Sequence, residues 1–165
     1  MKKVLASLCL LLGASSAFAQ TSNTVRWQSF AGVITAQNVD NPVSANIHSG
    51  TFAWTVRSGS ARVNLATGAA SFNIQQLVIN GAKFSGTPGP ITQVTGTLVC
   101  NPGADGESPH DTAAVNLDAH GNAQFSGSLG TLGTCSNPLF LVRIFNPSGA
   151  RGLWIATGVD RTFGE

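Results

Sequence analysis

The sequence predicts an all-β fold, a single-domain antiparallel β-sandwich of about nine or ten short strands, with a β-barrel as the alternative. Charged residues make up only 10% of the chain, which leaves few of the long polar side chains that amphipathic helices need. Short runs of alternating apolar and polar residues are separated by Gly, Pro and Asn turn signals. One cysteine pair, Cys100 and Cys135, is placed to staple such a fold.

Residues 1–19 have the three parts of a signal peptide. Two lysines form a basic start, residues 4–12 form an apolar core, and residues 17–19, Ala-Phe-Ala, form a small-x-small cleavage site. The apolar run is shorter than the roughly 20 residues that span a bilayer. We therefore expect cleavage of this segment rather than a retained membrane anchor.

The mature chain is expected to be one β-rich domain over residues 20–165. No stretch after the signal peptide is long and apolar enough for a transmembrane segment. The signal peptide predicts an exported protein of bacterial type, secreted or periplasmic. A partner or ligand would then belong to the cell envelope or to the extracellular medium.

The formal net charge of +2 comes from the signal peptide alone. The chain has nine Lys and Arg against seven Asp and Glu, and two of the nine are Lys2 and Lys3. The mature part is therefore formally neutral, so its net charge gives no basis for attraction to nucleic acid. We expect no nucleic-acid partner.

Five strand-like segments precede residue 80. Apolar and polar side chains alternate in them, so that Phe52, Trp54 and Val56, for example, share one face. The phase of the apolar residues changes near residues 75–76, which predicts a bulge there. The five segments cover residues 24–34, 51–57, 61–65, 72–74 and 77–79.

Five further strand-like segments follow the tight-turn signal Asn80-Gly81 and a Gly/Pro loop at residues 86–90. Residues 101–112 are expected to form a polar loop. The Gly-containing stretch at residues 118–121 predicts the turn of a hairpin. The segments are 91–100, 113–117, 123–129, 139–145 and 153–157.

Cys100 and Cys135 are expected to form a disulfide, because an exported chain folds in an oxidising compartment. Two buried free thiols are the alternative. A bond between them would close a loop of about 36 residues, for which chain entropy gives roughly 4 kcal/mol of stabilisation.

His110, Asp111 and His120 are the candidate metal ligands, since carboxylate and imidazole groups bind calcium and transition metals. Neither H-E-x-x-H nor paired CxxC occurs in the sequence. A solvated polar loop is the alternative interpretation of this region, and no cofactor is expected.

Four arginines, Arg26, Arg57, Arg62 and Arg143, occupy polar positions of predicted strands. If those strands share a sheet, the arginines would form a basic stripe for anionic glycans or carboxylates; an ordinary solvated face is the alternative. Trp154 is the candidate for an exposed sugar-stacking ring, because Leu153 and Ile155 claim the opposite face of its strand; a strand that is buried on both faces is the alternative.

No motif specifies an activity. The first hypothesis is a non-catalytic binding or structural module. The second is a binder of small ligands or carbohydrates that uses Trp154, Arg57, Arg62 and Arg143. The third is a metal-dependent or hydrolytic enzyme built around the His110 region, and it is disfavoured because no G-x-S-x-G or other catalytic pattern occurs.

Overall fold

The computed structural model describes residues 23–36, 38–81, 83–148 and 152–164. The predicted signal peptide and its cleavage site lie outside these residues. The described part of the chain has eleven strands, no helix, and antiparallel pairing between strands throughout. The predicted all-β antiparallel fold is confirmed. The strands are β1 (Thr24–Gly32), β2 (Trp54–Thr55), β3 (Ser58–Asn64), β4 (Ala69–Gln75), β5 (Val78–Ile79), β6 (Gln93–Cys100), β7 (Ser108–Asp111), β8 (Val115–Asn116), β9 (Ala123–Ser128), β10 (Leu139–Ile144) and β11 (Trp154–Gly164).

Nine of these strands form one curled sheet. Its order is β7, β6, β10, β11, β1, β3, β4, β9, and β8 also pairs with β6. The strands β2 and β5 form a small second sheet, in which Trp54 pairs with Ile79. Both residues are buried in the same core as the main sheet. One hydrophobic core is therefore shared by the two sheets.

The turn at residues 118–122 links distant parts of the main sheet. It follows β8, which pairs with β6, and precedes β9, which pairs with β4. The predicted turn forms, but the prediction of a hairpin is wrong, because the two strands that flank the turn pair with other strands. A Cβ on Gly121 would lie 2.3 Å from the Leu77 carbonyl oxygen, so this close approach requires glycine.

Phe140 lies at the centre of an aromatic cluster in the core. Its ring centroid is 5.5 Å from Trp27, 6.0 Å from Phe30 and 5.8 Å from Phe72. A Cβ on Gly96 would lie 2.8 Å from the rings of Phe140 and Phe72. The glycine on β6 therefore makes room for both rings against the sheet.

The change of phase predicted near residues 75–76 is present, but its form differs from a bulge. Gln76 has a left-handed φ of 51°, and both Ile74 and Leu77 are buried. The chain leaves the main sheet at this point and enters the small one. The irregularity is thus a crossing between sheets.

Several predicted segments differ in extent from the observed strands, and two of these differences show the reason. The polar loop expected at residues 101–112 contains β7, which pairs with the end of β6 from Thr97 to Cys100. The segment at 51–57 keeps only the two residues of β2 in a sheet. In both cases the pairing between segments that are distant in the chain determines where a strand forms. The local alternation of apolar and polar residues does not reveal this pairing.

Cys100 and Cys135 form the predicted disulfide, with their Cα atoms 4.8 Å apart. Cys100 ends β6, and Cys135 lies in the loop before β10. The side chain of Asn101 holds that loop from both sides: it donates to the Thr134 carbonyl at 3.2 Å and accepts from the Ser136 amide at 3.1 Å. The bond therefore ties a strand end to an otherwise irregular segment.

Candidate functional site

One face of β3, β4 and β9 is polar. The buried positions of these strands alternate with exposed or half-buried Ser, Asn, Gln and Arg residues. Residues that pair directly across antiparallel strands point to the same face, so the strand register arranges these side chains in rows. Two of the rows are Arg62, Ser71, Ser126 and Ser60, Asn73, Gln124.

Three adjoining depressions follow this face. The widest, about 630 Å³, lies beside the turn at residues 118–122. The next, about 500 Å³, shares Asn73 and Gln124 with it, and the third, about 270 Å³, shares Arg62 and Ser71 with the second. Together they form one groove along the seven residues of β4, roughly 23 Å at about 3.3 Å per residue. We call it the polar groove.

Carboxamide side chains dominate the wide end of the polar groove. Each of them both donates and accepts hydrogen bonds. At this end the groove can therefore pair with hydroxyl groups, which have the same double capacity. The carboxamides are those of Asn73, Gln75, Gln76, Asn116, Asn122 and Gln124.

The charges along the polar groove have one sign. Arg57 lies at its wide end, and Arg26 and Arg62 lie in its middle. Among the residues that the structure describes, no Asp or Glu lines any of the three depressions. The exposed Arg57 and Arg62 can donate charge-assisted hydrogen bonds to acceptor groups of a ligand.

Asp118 lies close to the wide end but directs its carboxylate to its own turn. The carboxylate accepts from the Asn122 amide at 2.9 Å, from the Asn122 side chain at 2.9 Å and from the His120 amide at 2.8 Å. These hydrogen bonds, those from Asn122 first, hold the pKa of Asp118 below its ordinary value. The acid thus stabilises the turn that presents His120.

Three of the four arginines predicted as a basic stripe line the polar groove: Arg57 and Arg62 are exposed there, and Arg26 is half-buried. Arg26 pairs directly with Arg62 across β1 and β3. The basic stripe was predicted on the condition that the strands of the arginines share a sheet. Arg26 and Arg62 meet this condition, because their strands pair directly.

The expectation that Arg143 belongs to this stripe is wrong. Arg143 is only 3% exposed, and its Nε donates to the Gly152 carbonyl at 2.7 Å. Its strand β10 lies between β6 and β11, where polar positions such as Thr95 and Thr97 are buried as well. The face of β10 that carries Arg143, which the sequence predicted to be exposed to solvent, is therefore covered by other parts of the protein.

The expectation that Trp154 has an exposed ring is also wrong. Trp154 is only 8% exposed, whereas Leu153, assigned to the interior, is one of the exposed apolar residues. The indole Nε1 of Trp154 donates to the Asn41 carbonyl at 2.9 Å, and its backbone nitrogen donates to the His48 carbonyl at 3.0 Å. The segment before β2 thus covers this end of β11.

The three candidate metal ligands do not come together. His110 and Asp111 are neighbours on β7, so their side chains point to opposite faces. Asp111 accepts from the Thr97 hydroxyl at 2.6 Å, while His120 lies on the turn beside the polar groove. Within the described ranges, no three His, Cys, Asp or Glu side chains form a group that could hold a metal ion.

The sequence alone does not single out the carboxamides of the polar groove. Their signal was the polar phase of the alternation in β4 and β9, with Ser71, Asn73 and Gln75 on one strand and Gln124 and Ser126 on the other. Uncharged side chains at such positions are common on solvated faces. Only the pairing of β4 with β9 turns them into one surface.

No protein-family model, curated protein or solved structure matches this chain. Function must therefore be argued from the geometry of the site itself.

A Ser-His-Asp group elsewhere in the fold serves structure. His48 Nδ1 lies 2.5 Å from Asp40 Oδ2, and its Nε2 donates to the Ala45 carbonyl at 3.1 Å. Ser49 donates its hydroxyl to Asp40 and has no hydrogen bond to the imidazole. A nucleophile must be bonded to its base, so this group is not a triad. It fixes the segment that covers Trp154.

The stability that this ion pair contributes should depend on pH. The hydrogen bond to Asp40 raises the pKa of His48 above 6.5, and the bond from His48 lowers the pKa of Asp40 below 3.8. The His48 contribution is thus complete below pH 6.5 and is lost as the pH rises through the raised pKa; the Asp40 contribution is lost as the pH falls below 3.8.

We expect the difference in unfolding free energy between the wild type and His48→Gln to be larger at about pH 5.5 than at about pH 9. Urea unfolding at the two pH values measures it. A difference that stays constant or widens at the higher pH would contradict the assignment.

Proposed function

We propose that the protein is an exported, non-catalytic binding module, and that the polar groove holds an extended hydroxyl-rich chain, a glycan. The observation that carries the proposal is the continuous groove along β4 with its carboxamide, hydroxyl and arginine lining. A length of roughly 23 Å suits a chain of linked units better than one small molecule.

The chemistry of the lining supports a glycan. Neighbouring hydroxyl groups of a sugar both donate and accept, and a carboxamide can serve both functions at once. Asn73 and Gln124 pair directly across β4 and β9, at the junction of the two wider depressions. Because they stand on paired strands, their spacing is set by the sheet, which reduces the cost of ordering them on binding.

We propose binding without hydrolysis because the described lining of the groove contains no carboxylate. Most glycosidases act through two carboxyl groups that flank the scissile bond. The described residues of the polar groove include no carboxylate. A chain held here meets donors and acceptors, but no acid and base pair of that kind.

Export is part of the proposal and rests on two features. The sequence at residues 1–19 has the pattern of a cleaved signal peptide, and the Cys100–Cys135 disulfide is compatible with an oxidising compartment. The described residues contain no helix of the length and apolarity needed to cross a membrane. A secreted or periplasmic location would place the groove within reach of envelope or extracellular glycans.

Replacing both Asn73 and Gln124 with alanine should weaken glycan binding about tenfold or more. Each lost hydrogen-bonding group is worth about 0.5–1.5 kcal/mol, and about 1.4 kcal/mol corresponds to a factor of ten in affinity. Native affinity gels containing soluble polysaccharides, neutral and acidic, measure the change as a loss of retardation.

The matched control is Asn46→Ala, which removes an exposed carboxamide outside the polar groove. It should migrate like the wild type in every gel. Equal retardation of the double variant and the wild type would remove the groove as the binding surface. Retardation by none of the polysaccharides would contradict the proposed function.

A further inference from the structure

We infer that the glycan of the polar groove carries N-acetyl groups, and that one of them binds where the two sheets meet. This inference rests on the proposed function and adds the chemical class of the sugar to it. The site is a fourth depression of about 360 Å³, which shares Arg57, Gln76 and His120 with the wide end of the groove. It extends the groove from β4 onto the small sheet, because Thr55 of β2 and Val78 of β5 also line it.

The fourth depression has an apolar patch, which is formed by Val56 and Val78. Trp54 and Ile79 of the small sheet are buried in the core. Thr55 and Val78, which follow and precede them, pair directly with each other and therefore point away from the core. Val56 and Val78 are both half-buried, so part of each apolar side chain is open to a ligand. The methyl group of an acetyl substituent can pack there, which removes apolar surface from water.

Arg57 and Gln76 supply the polar part of the fourth depression. Both are exposed, and they lie on adjacent segments, since the Arg57 backbone nitrogen donates to the Gln75 carbonyl at 3.1 Å. A guanidinium group only donates hydrogen bonds, whereas a carboxamide both donates and accepts. The carbonyl and the N–H of an acetamido group point in opposite directions, because its amide bond is trans. Arg57 can therefore donate to the carbonyl while Gln76 accepts from the N–H.

The backbone of Gln76 is held in a strained conformation that presents its side chain. Its φ of 51° lies in the left-handed region, which costs free energy for residues other than glycine. The Gln76 backbone nitrogen donates to Asn122 Oδ1 at 3.2 Å, and that of Leu77 donates to the Gly121 carbonyl at 2.8 Å. Glycine would make this crossing between the sheets at a lower cost. The presence of a carboxamide here therefore points to a use in binding, as such strained residues cluster at ligand sites.

The test compares a chito-oligosaccharide with a cello-oligosaccharide of equal length. The two have the same linkage and differ only in the acetamido group that replaces one hydroxyl on each ring. Both are uncharged, so a difference between them does not come from charge attraction. We expect the wild type to bind the chito-oligosaccharide at least about tenfold more tightly, because the acetamido group adds apolar burial and a hydrogen bond. Isothermal titration calorimetry measures both affinities.

Gln76→Gly should bind the chito-oligosaccharide about fivefold more weakly, because it loses the carboxamide. Glycine keeps the left-handed backbone and the N–H that donates to Asn122, so the variant should melt at or above the temperature of the wild type. The matched control is Asn38→Gly, at another exposed carboxamide residue with a positive φ, 64°, outside the groove. It should change the affinity less than about twofold. Wild-type affinity in Gln76→Gly, or an equal loss in both variants, would overturn the inference.

Val78→Thr tests the apolar part of the fourth depression. Threonine keeps the β-branched shape but replaces one methyl group with a hydroxyl. The preference for the chito-oligosaccharide over the cello-oligosaccharide should fall about threefold. The matched control is Val159→Thr, at an exposed valine of β11 outside the groove, and it should keep the full preference. An unchanged preference in Val78→Thr would overturn the assignment of this patch to the acetyl group.

The failure of this inference can be told from the failure of the proposed function. Equal binding of the two oligosaccharides, weakened in the Asn73→Ala/Gln124→Ala variant, would overturn the N-acetyl preference and leave the glycan site standing. Binding of neither oligosaccharide would overturn the inference, and the absence of retardation in every affinity gel would overturn the proposed function as well.

Discussion

Replacing Phe140 with alanine is expected to lower the free energy of unfolding by about 3–5 kcal/mol. Phe140 has no exposed surface, and its ring contacts the rings of Trp27, Phe30 and Phe72. The substitution removes these aromatic contacts and leaves a cavity that the surrounding sheet can fill only in part. A loss of this size is a large share of a typical stability of about 5–15 kcal/mol.

Urea unfolding followed by circular dichroism measures the effect of Phe140→Ala. The matched control is Phe163→Ala, since Phe163 is 59% exposed; its loss should cost less than about 0.5 kcal/mol, apart from its contact with Arg161. A loss below about 1 kcal/mol for Phe140→Ala would show that this ring does not lie at the centre of the core.

Removing the disulfide should lower the melting temperature by on the order of 10 °C. The bond joins residues 35 positions apart, and chain entropy assigns such a closure about 4 kcal/mol. For a domain of this size each kcal/mol corresponds to roughly 2–4 °C. The Cys100→Ala/Cys135→Ala variant is preferred to a single substitution, because it leaves no free thiol behind.

Thermal unfolding of this double variant is compared with that of the wild type, and Ser136→Ala is the control beside the bond. The control keeps the backbone amide that donates to Asn101, so its melting temperature should be close to that of the wild type. An unchanged melting curve in the double variant would show that the bond does not stabilise the fold.

The strands that have one solvated face could be predicted well from the sequence. In β3 and β4 the buried positions alternate with exposed ones, because each of these strands packs on the core with one face only. Alternation then reports directly which side chains point inward. Arg62 was placed correctly for this reason.

The alternation of apolar and polar residues gave wrong predictions where both faces of the sheet are buried. From Val94 onward every residue of β6 is buried, and Trp154, Ile155 and Ala156 begin β11 in the same way. A polar residue in such a strand, for example Arg143, reports no solvated face. Distant segments of the chain cover these strands. The segment that contains Asn41, for example, packs against Trp154.

The candidate site could be predicted only in part. The sequence indicated arginines on the polar side of their strands, but it could not show that Arg26 stands opposite Arg62. It also could not bring Asn73 beside Gln124, because the two residues lie far apart in the chain and only the pairing of β4 with β9 joins them. The groove forms because of the register between strands that are distant in the chain, and this register cannot be read from the composition.

Residue-resolved NMR of the labelled protein tests the binding site most directly, during titration with an oligosaccharide of the polysaccharide that retards the wild type most in the affinity gels. We expect the backbone amides of β3, β4 and β9 and the side-chain amides of Asn73 and Gln124 to shift together and to saturate. Shifts confined to β7 around His110 or to the segment that covers Trp154, with the polar groove unchanged, would contradict the account.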